Sequence, residues 1–158
     1  MECNANANQL AEFSWEIRDK SLDILENLPE GFENWRLNNN AMSFAHIAKH
    51  LVRIDERFLE MLQTGNKTFK WHMGSEEPHY RIEKAEFEDI KERLKTLQKK
   101  RHAVIQAMDE KTLNEKVSGE LGKQSNIWWF IMEKLLEHEI YHRGQLGAYL
   151  KIIQGEQE

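Results

Sequence analysis

His138 and His142 stand four residues apart, in two positions of an otherwise apolar stripe: Ile127, Ile131, Leu135, His138, His142, Leu146, Tyr149 and Ile153. On a helix this spacing puts both imidazoles on one face, about 5–6 Å apart at Cβ. One helix can in this way supply two ligands to a single metal ion. A buried neutral imidazole needs a donor role for one nitrogen and an acceptor role for the other. A metal that takes one lone pair from each ring accounts for two such rings side by side. A single core histidine is more often a hydrogen-bonded packing residue, so the pair gains weight from a second one. His46 and His50 are also four apart, flanking a stripe that contains Ile47, Leu51 and Ile54. Either could complete a three-histidine site, and spacing does not choose between them. His72, His79 and His102 fall in a loop or on a polar face and read as surface residues.

Other chemistry-bearing groups lie close to these histidines in sequence. Asp55, Glu56 and Glu139 are candidate general bases for a metal-activated water. Arg53 and Arg143 read as surface ion-pair partners, with binding of an anionic substrate group as the sharper alternative. Gly144 and Gly147 sit inside a helix, where each costs about 1 kcal/mol relative to Ala; they fit a close helix contact or open space beside His142, and equally a cost that the helix simply tolerates.

Four helical stripes must position these groups. The first runs Leu10, Phe13, Ile17, Ser21, Ile24 and Leu28 and stops at Pro29. The second runs Phe44, Ile47, Leu51, Ile54, Phe58 and Met61, with Ser43 as its cap and Gly65 at its end. The third runs Phe87, Ile90, Leu94, Leu97, Arg101, Val104 and Met108, interrupted only by Arg101. The fourth is the histidine stripe, with Ser125 as candidate cap and Gly155 beyond its end. Four such stripes predict an all-α four-helix bundle. The connections fall near residues 29–42, 65–82 and 110–124. The middle one, which holds Gly65, Gly74 and Pro78, reaches about 55 Å extended against about 30 Å for a 20-residue helix. A long crossover between the second and third helices is therefore expected. Trp35 and Trp71 should cap the bundle ends, and Trp128-Trp129-Phe130 cannot all face one core, which suggests self-association.

Composition narrows the function classes. At 158 residues and 40% hydrophobic content the chain suits one domain spanning residues 1–158. Its net charge of −5 argues against a nucleic-acid partner. The run Lys99-Lys100-Arg101 reads as a solvated face. The lone Cys3, in a polar N-terminal stretch, allows neither an intrachain disulfide nor a thiolate-rich zinc site. No apolar run is long enough to span a bilayer, and the N-terminus lacks the pattern of a signal peptide, so a cytoplasmic protein without a membrane partner is expected.

The segment from His138 to Leu146, HEIYHRGQL, with Tyr149-Leu150 and Gly155 downstream, resembles the C-terminal signature of the DinB/YfiT-like metalloenzyme superfamily. The segment from Ser43 to Leu51, SFAHIAKHL, is similar to its second-helix motif. The resemblance spans essentially the whole chain and is most specific in the fourth-helix motif. It implies an up-down-down-up four-helix bundle and a divalent metal, commonly zinc or nickel, held by His50, His138 and His142. His46, one turn earlier, would then lie behind the ligands or at the surface. Three neutral ligands leave at least one coordination position open, as in catalytic zinc sites. The resemblance implies a metal-dependent S-transferase that takes a low-molecular-weight thiol and a small electrophile, in a homodimer. A metal-dependent hydrolase and a non-enzymatic metal-binding stress-response protein are the alternatives.

Overall fold

The computed structural model describes residues 5–69, 80–119 and 125–157. Cys3, Trp71, His72, Gly74, Pro78 and His79 lie outside them, and with them most of the middle connection. Four long helical segments carry the described chain: α1 (Ala5–Glu26), α2 (Phe44–Thr64), α3 (Lys84–Gln106) and a C-terminal run that ends in α6 (His138–Gln157). A one-turn helix, α4 (Glu110–Leu113), follows α3. The C-terminal run begins as α5 (Ile127–Phe130) and passes through a π-helical segment, Ile131–Glu137, before α6. The all-α expectation holds, with a small addition. Short strands β1 (Thr68–Phe69), β2 (Lys116–Gly119) and β3 (Ser125–Asn126) form a sheet in the order β1-β2-β3. β2 pairs in parallel with β1 and antiparallel with β3, with Val117 opposite Ser125.

The ends of α2 follow the local chemistry. The Ser43 hydroxyl accepts a hydrogen bond from the His46 amide, and Gly65 closes the helix in the left-handed region at φ 70°. The fourth stripe starts differently from expectation. Ser125 belongs to β3, and the cap is Asn126, whose side chain accepts from the Trp129 amide. An Asx side chain reaches the third amide of the turn in the same way a serine does, so the two adjacent candidates differ only in register.

The face of α1 also departs from the stripe read in sequence. Its buried residues are Ala7, Leu10, Ala11, Ser14, Ile17, Arg18, Ser21, Leu22 and Leu25, whereas Phe13 is 41% exposed. Small residues admit the neighbouring helices closely, and this decides the buried side over the bulkier Phe13. The helix ends at Glu26, before Pro29. In α3 the interruption at Arg101 proves to be inward. Lys99 and Lys100 are exposed as a solvated face requires, but Arg101 is buried at 1% exposure, so the basic run is not all surface.

α1 packs against α3 and α6, and α2 packs against the same two helices. The apolar core forms two clusters. One gathers Leu10, Ile17, Phe58, Phe130 and Leu135; the other gathers Leu25, Phe44, Leu51, Leu94 and Tyr149. Trp35 packs at the second cluster's end, its ring 5.1 Å from Tyr149 and 6.2 Å from Phe44, as an end-capping residue should. Of the aromatic trio, Phe130 is buried, Trp128 is half-buried and Trp129 is exposed.

Candidate metal centre

α2 and α6 bring His50, His138 and His142 together. The apolar stripe of α2 is buried between its neighbours, which leaves His50 on the flank that faces α6. His50 Nε2 lies 3.1 Å from His138 Nε2, and His138 Nε2 lies 3.1 Å from His142 Nε2. One ligand atom from each ring falls within 4.8 Å of the other two. The rings stand edge to face, at 69°, 77° and 88° to one another, so they meet at their nitrogen tips instead of stacking.

This donor set fits a metal ion. Two nitrogens bound tetrahedrally to one zinc at about 2.0–2.1 Å lie about 3.3–3.4 Å apart, close to the spacing found here. The tautomer of one ligand is fixed from behind. His142 Nδ1 faces Gln145 Oε1 at 3.1 Å, and an amide oxygen can only accept, so Nδ1 carries the proton and Nε2 presents its lone pair. Gln145 is itself held by donating to the Tyr149 hydroxyl at 3.0 Å. Protonation is disfavoured at all three rings. Burial, with His142 and Arg53 nearby, pushes His50 down to about 4. Burial, with His142 and His50, pushes His138 down to about 3. Burial also lowers His142, against the opposing effect of its bond to Gln145. At neutral pH the cluster is three neutral bases, the state that metal ligation requires.

Directly beneath lies a feature that sequence reasoning missed. Arg18 of α1, Asp55 of α2, Arg101 of α3 and Glu139 of α6 form an ion cluster in which none is more than 1% exposed. Arg18 donates to Asp55 at 2.7 Å and to Glu139 at 2.7 and 3.0 Å. Arg101 donates to Asp55 at 3.0 Å and to Glu139 at 2.8 Å. Arg18 also donates to the Leu94 carbonyl, and Arg101 to the hydroxyl and the carbonyl of Ser14. Two cations and two anions cancel, as burial demands. Burial alone would raise the Glu139 carboxyl, but Arg18 and Arg101 override it and hold it well below the usual carboxylate range. Burial would lower Arg18, yet Asp55 and Glu139 raise it. On each of the four helices the ionic residue falls near the boundary between the two apolar clusters. The one signal in the sequence was Arg101 breaking the third stripe; Arg18 gave none.

The other candidate residues separate clearly. Of the carboxylates, Asp55 and Glu139 are committed to the arginines, and Glu56 pairs with Arg93 at 3.0 Å on an exposed face. His46 is buried, with Nδ1 2.8 Å from the Ser43 hydroxyl and its ring against Tyr80, and is not one of the three clustered histidines. His102 is half-buried, paired with Glu12 and set edge-on to Trp15. Arg143 borders a surface hollow with Asp19 and Asp23, while Arg53 lies close enough to His50 to affect its charge. A Cβ on Gly147 would meet Ile24 at an ordinary 3.9 Å, and one on Gly144 would meet open space.

Among the described residues no helix is long and apolar enough to cross a membrane. No curated protein matches the chain. The family model of the DinB family matches residues 1–153, and on that match over nearly its whole length the chain belongs to the DinB family.

Proposed function

We propose that this chain is a metal-dependent S-transferase that joins a low-molecular-weight thiol to a small electrophile, with a divalent metal, zinc or nickel, held by His50, His138 and His142. When bound, such an ion supplies Lewis acidity that favours the thiolate over the thiol near neutral pH. The protein's own part is to hold three neutral imidazoles in register, Gln145 orienting His142 and the ion cluster anchoring Glu139 next to His138.

The observation that favours thiol chemistry over hydrolysis is the fate of the carboxylates. Hydrolysis calls for a nearby base to take a proton from water. Asp55 and Glu139 are spent on Arg18 and Arg101, and Glu56 is turned to Arg93. A metal-held thiol that has lost its proton to solvent attacks and expels a halide with no further proton transfer, whereas the leaving amine or alcohol of hydrolysis must be handed a proton.

Residue pairings support an up-down-down-up four-helix bundle that forms one domain over residues 1–158. Between α1 and α3, Ser14 meets Arg101 and Glu26 meets Lys95, so the numbers run oppositely. Between α2 and α3, Lys49 meets Glu86 and Glu56 meets Arg93, so they run together. Phe58 stacks on Phe130 of α5 and Phe44 meets Tyr149 of α6, so α2 opposes the C-terminal run. This arrangement requires a crossover between α2 and α3. A cytoplasmic homodimer completes the reading, with exposed Trp129 as a contact residue.

The test is turnover of a halogenated aromatic electrophile by the purified protein with and without a thiol. Thiol-dependent turnover, lost on chelation and in His142→Ala, is expected. Thiol-independent, metal-dependent turnover of an ester or amide would replace this reading with the hydrolase. Loss of melting temperature on chelation with no turnover of either kind would leave a metal-binding protein without catalysis.

A further inference from the structure

Among the described residues, half-buried Arg36 holds one buried nitrogen that neither the ion cluster nor the histidine centre accounts for. Arg36 lies in the connection between α1 and α2, and its Nη1 is buried without a hydrogen-bond partner. A buried donor left in this way is costly, the more so when charged, unless a water or an ion meets it. Arg36 lines a cavity of about 210 Å³ with Asn34, Ser43, His46, Tyr80 and Arg81. That is smaller than the roughly 300–1,000 Å³ of sites for drug-sized ligands, so its occupant is a small molecule or one end of a larger one.

The charges around the cavity favour an anion. Arg36 and Arg81 line it, and Lys49 contacts the Tyr80 hydroxyl from behind. Against them, Glu83 touches Arg81 at 3.4 Å with both side chains about three-quarters exposed, and Glu86 pairs with Lys49 at 3.1 Å. Neither glutamate lines the cavity. The start of α2 adds the positive end of its dipole. Its first amides are already taken, by the Trp35 and Glu33 carbonyls and by Ser43. Recognition therefore falls to side chains, and the planar fork of Arg36 is suited to two oxygens of one group.

We propose that this pocket binds a small oxyanion, a carboxylate or a phosphate, with Arg36 as its principal donor and Arg81 as a second cation. The inference goes beyond the metal reading and does not depend on it. Its position still bears on that reading. His46 on the pocket wall and His50 at the histidine centre are one turn apart on one face of α2, about 6 Å along the axis. The pocket thus neighbours the histidine centre along α2 without sharing a lining residue with it.

The test is calorimetric titration of the purified full-length protein with inorganic phosphate and, separately, with sodium acetate, at ionic strength held constant by chloride. Saturable binding of at least one anion is expected; whichever binds identifies the source. Arg36→Gln should weaken it about tenfold or more, the loss of a charge-assisted pair, while Arg93→Gln on the remote α2–α3 face should leave it unchanged. Phosphate or acetate should also slow modification of Arg36 by phenylglyoxal in the unsubstituted protein, which reads the same contact without risk to folding. No saturable binding, equal weakening by both substitutions, or no protection of Arg36 would overturn the proposal and leave the guanidinium met by water alone.

Discussion

Arg18 grips Glu139 through two parallel hydrogen bonds, Nε to Oε1 at 2.7 Å and Nη2 to Oε2 at 3.0 Å, and Glu139 directly follows His138. A helix cannot turn His138 without moving Glu139, so the buried ion pair fixes the rotation of α6 at the point where it presents the histidine. Asp55, five residues beyond His50, binds the same guanidinium. One arginine of α1 thus sets both helices that carry the histidines.

Removing one member of this cluster should be costly. Arg101→Met leaves two carboxylates facing Arg18 alone in a water-free layer, and a loss of about 3–5 kcal/mol is expected. Urea unfolding at neutral pH measures it. A loss below about 1 kcal/mol would mean that water enters the layer and the burial argument fails.

Elemental analysis of purified variants separates the two histidines of α2. His50→Ala, His138→Ala and His142→Ala should lose the metal, and His46→Ala should keep it, because His46 turns to Ser43 and Tyr80. Metal kept by His50→Ala and lost by His46→Ala would reverse the assignment.

Gln145→Leu removes the acceptor that holds the His142 tautomer without touching a ligand. Metal affinity should fall about 10- to 100-fold, read by competition with a chromogenic chelator. The melting temperature of the chelated protein should move far less than the affinity. An unchanged affinity would show that packing alone orients the ring.

The chelated protein should lose stability in mild acid. His50 and His138 have folded values near 4 and 3, lowered first by burial, against an unfolded value near 6.5. Below pH 6.5 the unfolded chain takes up protons that the folded one refuses, so this stability is present above 6.5 and declines toward pH 3. Glu139, also held low, adds to the loss only below its ordinary range near 4.5. The fall between pH 6.5 and 5 therefore belongs to the histidines. Urea midpoints across that interval should drop, and the drop should flatten in a His50→Ala, His138→Ala double variant. A midpoint constant from pH 7 to 5 would contradict the burial of these rings.

Much of this protein is written in its local pattern. The helical stripes, the Ser43 cap, the Gly65 stop and the HEIYHRGQL segment each depend on neighbours within a few residues, so periodicity and residue type suffice to read them. The His138–His142 pair is of the same kind, since a spacing of four fixes a shared face. What could not be read is whatever depends on helices distant in the chain. The choice of His50 over His46 by geometry needs α6 in place beside α2. The burial of Arg18 and Arg101 needs Asp55 and Glu139 from two other helices, and without those anions any reading must put an arginine outside. The buried side of α1 turns on how closely its neighbours approach Ala7, Ala11 and Ser14. A side chain's type is local, but the free energy of burying its charge is set by the partners it meets, and only the folded chain supplies them.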